Sequence, residues 1–404
     1  MAPVRFELES KFGSIYGDEE ERAIIDVVRK YAPTSGTECQ EFEREFARYC
    51  GVEHARTCSN GTAALFLSLI GAGIKPGDRV ITTPMTWIAT AAAAITLGAE
   101  VDFVDIDPLT CNIDPRQIEN AITPRTKAIM PVHLYGQCCD MDAILDTARA
   151  HGLAVIEDAA HAPGGEYKGR KAGSMGTTGC FSFHEQKNMS TLGEGGMVVT
   201  NDPGVFERMS LYRSHCTRVH GASTKYCSLD PAIIPVGNRP WWQEFDDCGY
   251  NFRMTDVQAA VGRIQLRKLD EMNRRRIAIA ARITNGLRDV PGLSLTEHAV
   301  DFTHVYHLFP LRIDADAFGM DKDNFIATMA GDYGIKIGTH YIPLHWSTAF
   351  QRRRYQRGQF PNAESIFTQQ VTLPVHPRLT NDAVDYLIGS IRACHVSSPV
   401  HAQS

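Results

Sequence analysis

The chain lacks what several protein classes require. No apolar run reaches the roughly 18 residues that a bilayer-crossing helix needs, and the longest candidate, 88–101, is broken by Thr90, Thr96 and Glu100. The opening MAPVRFELES has no apolar core, so a secretory leader is not expected and a cytoplasmic location is. Excess positive charge is missing too. With 41 Lys and Arg against 47 Asp and Glu, the net charge of −6 gives no footing for non-specific nucleic-acid binding. The 11 cysteines contain no CxxC, and Cys138 and Cys139 are adjacent, which suits neither a zinc knuckle nor a disulfide framework. Reduced thiols are expected. The 15 histidines show no ligand-type pairing with cysteine, so no metal is expected.

What is present is an ordinary globular composition, 404 residues of which 43% are hydrophobic and 22% charged. Residues 18–50 read as two helices separated by a turn around Pro33 and Gly36. From His54 onward, short apolar runs beginning near 79, 101, 128, 153 and 196 alternate with helical stretches. Near-continuous apolar strands alternating with helices predict a mainly parallel sheet covered on both faces. A long charged helix, 255–285, is expected to bridge to a second unit. There an α+β pattern follows: a strand from His304, a helix from Asp321, a strand at 338–343, a helix from Asn362 and a last helix from Thr380. The expected organisation is a large α/β domain over 1–260, a small C-terminal α+β domain over 261–396, and a flexible tail over 397–404.

Familiar motifs fail on inspection. Gly71-Ala72-Gly73 begins like a dinucleotide fingerprint, but Pro76 stands where the third glycine belongs. His184-Glu185 begins like a zinc-protease motif, but Asn188 replaces the second histidine. Four other segments fit one task, holding an aromatic aldehyde with a phosphate tail. Ser59-Asn60-Gly61-Thr62-Ala63 joins a strand to a helix whose first amides favour a dianion. It also reads as an ordinary capped turn. Asp158, at the end of an apolar strand, could charge-stabilise a protonated pyridine nitrogen, or simply cap the next helix. Lys187 lies between the strand Cys180-Phe181-Ser182-Phe183 and the turn Gly193-Glu194-Gly195-Gly196. Held in a cleft it would have a lowered pKa and a free amine; on an open loop it would not. Trp87, just after a strand, could stack on a ring or pack a core.

Taken together, and with Gly249-Tyr250-Asn251-Phe252-Arg253 and the HYIPLH segment, these motifs resemble the DegT/DnrJ/EryC1/StrS family of pyridoxal-phosphate-dependent aminotransferases. The resemblance implies an aspartate-aminotransferase-like, fold type I protein with a mainly parallel seven-stranded sheet. It implies that Lys187 forms the Schiff base with pyridoxal 5'-phosphate (PLP), that Asp158 pairs with the pyridine nitrogen and that His161 sits near the phenolic oxygen. Trp87 would stack on the ring, and Gly61, Thr62, Ala63 and Ser182 would cradle the phosphate. Asn251 would reach the phosphate of a neighbouring subunit, making a homodimer with shared sites. Glutamate or glutamine would be the amino donor and a keto-sugar the acceptor, most readily a nucleotide-linked 4-keto-6-deoxy sugar. Tyr341, His345, Arg218 and Trp242 are the candidate acceptor-binding residues. Other readings are a keto-cyclitol aminotransferase, a PLP enzyme that does not transaminate, or a regulatory protein on the same fold.

Overall fold

The computed structural model describes residues 13–30, 34, 36–218, 244–295 and 301–396. Helix α1 (Asp18–Arg29) starts with four acidic residues in its first turn, which suits the positive end of a helix, and Glu20 accepts a hydrogen bond from the Gly17 amide at 2.9 Å. Helix α2 (Thr37–Cys50) buries Cys39, Phe42, Phe46, Ala47 and Cys50, a spacing of three and four that makes one apolar face. It stops at Gly51, whose φ of 71° is left-handed and needs no side chain.

The alternating region then folds as β1 (His54–Cys58), α3 (Gly61–Gly71), β2 (Arg79–Thr82), α4 (Ile88–Thr96), β3 (Glu100–Phe103), α5 (Pro115–Ile118), β4 (Thr126–Ile129), α6 (Met141–His151) and β5 (Ala154–Asp158). A small hairpin, β6 (Glu166–Tyr167) and β7 (Arg170–Lys171), precedes β8 (Thr178–Ser182), β9 (Gly196–Thr200) and α7 (Pro203–Arg213). Seven strands form one sheet in the order β1-β9-β8-β5-β4-β2-β3. Strands β8, β5, β4, β2 and β3 pair in parallel, and β9 runs antiparallel to both β8 and β1. This is the mainly parallel sheet that the apolar runs predict. One hydrophobic cluster joins α2 and α6 to the sheet, and another is built on α3 and α4.

A two-stranded pair, β10 (Thr217–Arg218) with β11 (Glu244–Phe245), leads to α8 (Asp256–Leu287). Thr255 caps α8 and Gln258 completes a capping box. The remaining elements are β12 (Leu293–Leu295), β13 (Phe302–Thr303), β14 (Phe309–Ile313), α9 (Ala315–Phe318), α10 (Lys322–Gly331), α11 (Thr348–Gln351), α12 (Pro361–Gln369), β15 (Gln370–Leu373) and α13 (Asn381–Val396). The three-stranded sheet β12-β14-β15 shares a hydrophobic core with the C-terminal half of α8, α10 and α13.

The C-terminal part differs from expectation in three places. The strand expected from His304 starts only at Phe309, because Val305 and Leu308 bond instead to the carbonyls of Gly136 and Tyr135. Residues 338–343 make no strand and keep a single bridge, Gly338 to Thr372. Helix α12 runs directly into β15, a strand whose partner β14 lies far off in sequence. The expected flexible tail, 397–404, lies outside the described residues. Among the described residues no helix is long and apolar enough to cross a membrane.

Candidate active site

Parallel strands place their C-terminal ends at one edge of the sheet, where open α/β proteins gather ligands. Here β1 ends at Cys58, β2 at Thr82, β5 at Asp158 and β8 at Ser182. A cavity of about 530 Å³ opens at that edge, lined among others by Gly61, Thr62, Trp87, Asp158, His161, Ser182, Lys187 and Tyr341.

Asp158 is buried, with 5% of its surface exposed. The Thr90 hydroxyl donates to one carboxylate oxygen at 2.8 Å and the Ala160 amide to the other at 3.2 Å. Burial raises its pKa above the usual carboxylate value, against those two hydrogen bonds and the positive charge of Lys187 and His133. Among the described residues no cation forms an ion pair with it. A buried carboxylate of this kind is the complement of a cationic ring nitrogen.

Lys187 lies on the turn after β8, its amide donating to the His184 carbonyl at 2.9 Å. Its side chain faces the cavity and is half-buried. Desolvation pulls its pKa down to about 8, while Asp158 and Glu194 pull it up. Its Nζ lies 3.5 Å from Nε2 of His307. His161 is fixed at both ring nitrogens: the Tyr135 amide donates to Nδ1 at 3.3 Å, and the Tyr341 hydroxyl lies 3.2 Å from Nε2. Burial first, then the charge of Lys187, depress its pKa well below the ordinary value, so the ring is neutral.

The start of α3 is shaped by close packing. Asn60 caps it, with Oδ1 accepting from the Ala63 amide at 2.8 Å. A Cβ on Gly61 would lie 2.7 Å from Cβ of Ser182, so only glycine lets the helix start lie this close to β8. Gly61, Thr62 and Ser182 thus meet at one end of the cavity, where the first-turn amides of α3 have no carbonyl within the helix to bind. Ala63 does not line the cavity, its amide being taken by the cap. Trp87 stays 61% exposed on the rim, its ring 6.1 Å from that of Tyr341.

Other expected residues stand apart. Asn251 is exposed, bridged to Ser214, and is not in the lining of the cavity of its own chain. His345 is buried, its Nε2 2.8 Å from Glu364 and its ring against Phe360, and it is not in the cavity lining. Arg218 contributes its backbone to β10. Trp242 lies outside the described residues. Sequence reasoning missed Thr90, His307 and His340. Thr90 left a faint trace, a hydroxyl in the first turn of an alanine-rich helix. The two histidines come from the C-terminal part; His340 opens the HYIPLH segment, whose Tyr341 and His345 alone were singled out, and no local pattern marks His307.

For PLP the residues present fit. A buried carboxylate without a paired cation, an amine with a lowered pKa and a tightly packed helix start beside a serine surround one cavity. A family model described as the DegT/DnrJ/EryC1/StrS aminotransferase family matches residues 15–392. The chain is 40% identical over 379 residues to the spore coat polysaccharide biosynthesis protein SpsC of Bacillus subtilis, covering 94% of this chain and 95% of SpsC. It is 38% identical to the GDP-perosamine synthase of Caulobacter vibrioides, covering 93% and 95% of the two chains. The crystal structure of S. venezuelae DesV in complex with a ketimine intermediate superposes with a TM-score of 0.83 at 37% identity, over 93% of this chain and 94% of that one. Other solved neighbours include PLP and PMP forms of one aminotransferase. The architecture is that of the aspartate-aminotransferase-like, fold type I enzymes.

Proposed function

The chain belongs to the DegT/DnrJ/EryC1/StrS aminotransferase family and is a PLP-dependent sugar aminotransferase; from that premise we propose that it moves an amino group from glutamate or glutamine to a nucleotide-linked 4-keto-6-deoxy sugar. The observation that carries the reading is the presence of Asp158 and Lys187, a buried carboxylate and an amine of lowered pKa, in the lining of one cavity. The nucleotide-linked acceptor is supported by the likeness to a GDP-perosamine synthase. Cationic and aromatic residues at 217–248 would anchor a nucleotide diphosphate, Arg218 and Trp242 among them.

When bound, PLP supplies an electron-withdrawing ring that absorbs negative charge from the carbon beside the transferred amine. Lys187 would hold its aldehyde carbon, and Gly61, Thr62 and Ser182 its phosphate. Asp158 would keep the ring nitrogen protonated: a buried carboxylate with no other cation gains most from that proton. Thr90 and the Ala160 amide hold the carboxylate still. His161, neutral and fixed at both nitrogens, would present a hydrogen bond instead of a second positive charge. Trp87 and Tyr341 would close over the ring and keep water from it. Once displaced by the donor amine, Lys187 would carry the proton taken from the donor carbon. A pKa of about 8 lets it take up that proton and pass it on to a second carbon near neutral pH, the shift that transfer of the amine requires. Asn251, exposed on its own subunit, would serve the partner's phosphate in a homodimer. The large and small domains, divided near residue 260, would meet at this site through α8.

The test is an amine-transfer assay with glutamate and glutamine against nucleotide-linked keto-sugars, free keto-sugars and keto-cyclitols. Preference for a nucleotide-linked 4-keto sugar supports the full reading. Far better use of a free keto-sugar or a cyclitol overturns the acceptor and leaves the transaminase.

A further inference from the structure

Segment 304–308 leaves the line of β14, and that departure carries a histidine to within reach of the cavity-lining Lys187. Several ties hold it there. The Val305 amide donates to the Gly136 carbonyl at 3.0 Å and the Leu308 amide to that of Tyr135 at 3.3 Å. The backbones touch so closely that a Cβ on Gly136 would lie 2.9 Å from the Tyr306 nitrogen and 3.0 Å from that of His307. Arg276, fully buried, donates to the carbonyls of Tyr306 at 3.0 Å and Val375 at 2.7 Å. Between these ties Tyr306 has a φ of 45°, a left-handed conformation that non-glycine residues keep only where their surroundings fix it.

The residue so delivered is His307. It is buried, its ring centroid lies 4.3 Å from that of His161, and its Nε2 lies 3.5 Å from Nζ of Lys187, at the long limit of a hydrogen bond. Among the described residues it is the one hydrogen-bond partner of that amine, and no carboxylate comes within ion-pair distance. Lys187 feels Asp158 and Glu194; His307 feels Lys187, His161, His340 and Arg276. A histidine buried among so many groups that carry or can carry positive charge stays neutral. A neutral imidazole keeps a lone pair to offer an ammonium.

We propose that His307 is the positioning residue of the Lys187 amine: whenever that amine is not bonded to the cofactor, Nε2 of His307 accepts one of its hydrogens and keeps it at the cavity wall. This rests on the reading of Lys187 as the cofactor-holding amine. Without the histidine the released amine has no fixed partner on that side, and its return to the donor carbon is slowed.

The experiment uses the apoprotein and the holoenzyme, each as wild type, His307→Phe, His307→Gln and His307→Asn. In the apoprotein, Lys187 is acetylated with acetic anhydride across a pH series and quantified by mass spectrometry. His307→Phe removes the acceptor that favours the ammonium, so the labelling midpoint should fall by about half to one pH unit, a roughly three- to tenfold change in the ionisation constant. A glutamine amide reaches the position of Nε2 and should hold the midpoint near wild type. An asparagine amide stops short and should behave like phenylalanine. In the holoenzyme, exchange of the donor Cα hydrogen with solvent deuterium should slow about tenfold in His307→Phe at unchanged donor KM, and His307→Gln should recover most of it. If the phenylalanine variant does not fold, the Gln–Asn pair decides. Equal midpoints in Gln and Asn, or a wild-type midpoint in Phe, overturn the proposal. A wild-type enzyme with no donor half-reaction would overturn the function reading and leave the labelling result standing.

Discussion

Asp158→Asn keeps the shape of the site and removes one charge. The asparagine oxygen can still accept from the Ala160 amide, and its NH2 can donate to the Thr90 hydroxyl, which then turns its own hydrogen to Thr86, but a neutral amide no longer keeps the ring nitrogen protonated. Loss of a preorganised electrostatic group costs on the order of 3 kcal/mol in the transition state, so kcat should fall by about a hundredfold or more with little loss of bound PLP. A wild-type kcat would reduce Asp158 to a helix cap. Lys187 offers a test free of catalysis. Its ordinary pKa is 10.5 and burial lowers it to about 8. Between those values the unfolded chain binds the proton that the folded one has lost, so stability rises with pH across that window. Below about pH 8 both states are protonated and the burial penalty is complete. Apo Lys187→Met should therefore be more stable than wild-type apoprotein at pH 7, by about 2 kcal/mol after allowance for the cavity-facing side, with the gap closing as pH approaches 10.5. Chemical denaturation at pH 7, 9 and 10.5 measures it, and a gap that does not shrink contradicts the assigned shift. The position of Asp158 and Lys187 at this sheet edge was legible because Asp158 ends an apolar strand and Lys187 lies between an apolar strand and a glycine-rich turn. His307 was not, since its aim depends on Gly136 and Arg276, residues 171 and 31 positions away in sequence.

At the scale of elements, the α3–β8 contact decides whether a phosphate cup can form. Gly61 permits it, and a methyl group there would lie 2.7 Å from Ser182 Cβ. Gly61→Ala must push the helix start away from the strand, at a cost of about 1–3 kcal/mol. Melting temperature should drop, and affinity for PLP should drop further than for a variant of equal stability loss elsewhere, such as removal of the Thr255 cap of α8. Equal PLP affinity in the two variants would separate the close packing from cofactor binding. The sequence announced this βα turn and nearly the whole alternating sheet, because apolar runs and helical periods are local signals. It misjudged 304–308 and 338–343, where apolar residues suggested strands, and it missed the strand β15. Pairing in that sheet joins residues far apart, Phe309 with Leu373 for one, and no local period encodes such a partner.

At the scale of the molecule, the cavity is bordered by apolar side chains that remain exposed. Trp87, Ile88, Leu192 and Ile342 are each 40% or more exposed, and each is itself a cavity residue or lies within two positions of one. Large exposed apolar groups gathered around a site suit a face covered by a second protein surface. In the proposed homodimer that surface is another copy, and Asn251 crosses it to the partner's phosphate. The arrangement has a consequence that a self-contained site does not share. One site of a mixed dimer takes its lysine from one chain and its asparagine from the other. When Lys187→Ala subunits are mixed with Asn251→Ala subunits, one of the two sites in each heterodimer therefore carries both intact residues. Activity should return from two inactive preparations, approaching half of the wild-type value per heterodimer and about a quarter in a statistical mixture, where half of the dimers are mixed. The measurement needs Asn251→Ala homodimers shown inactive and heterodimers isolated with two different tags. Tagged heterodimers that stay as inactive as their parents would mean that each subunit completes its own site, with Asn251 acting within its own chain instead of across the dimer.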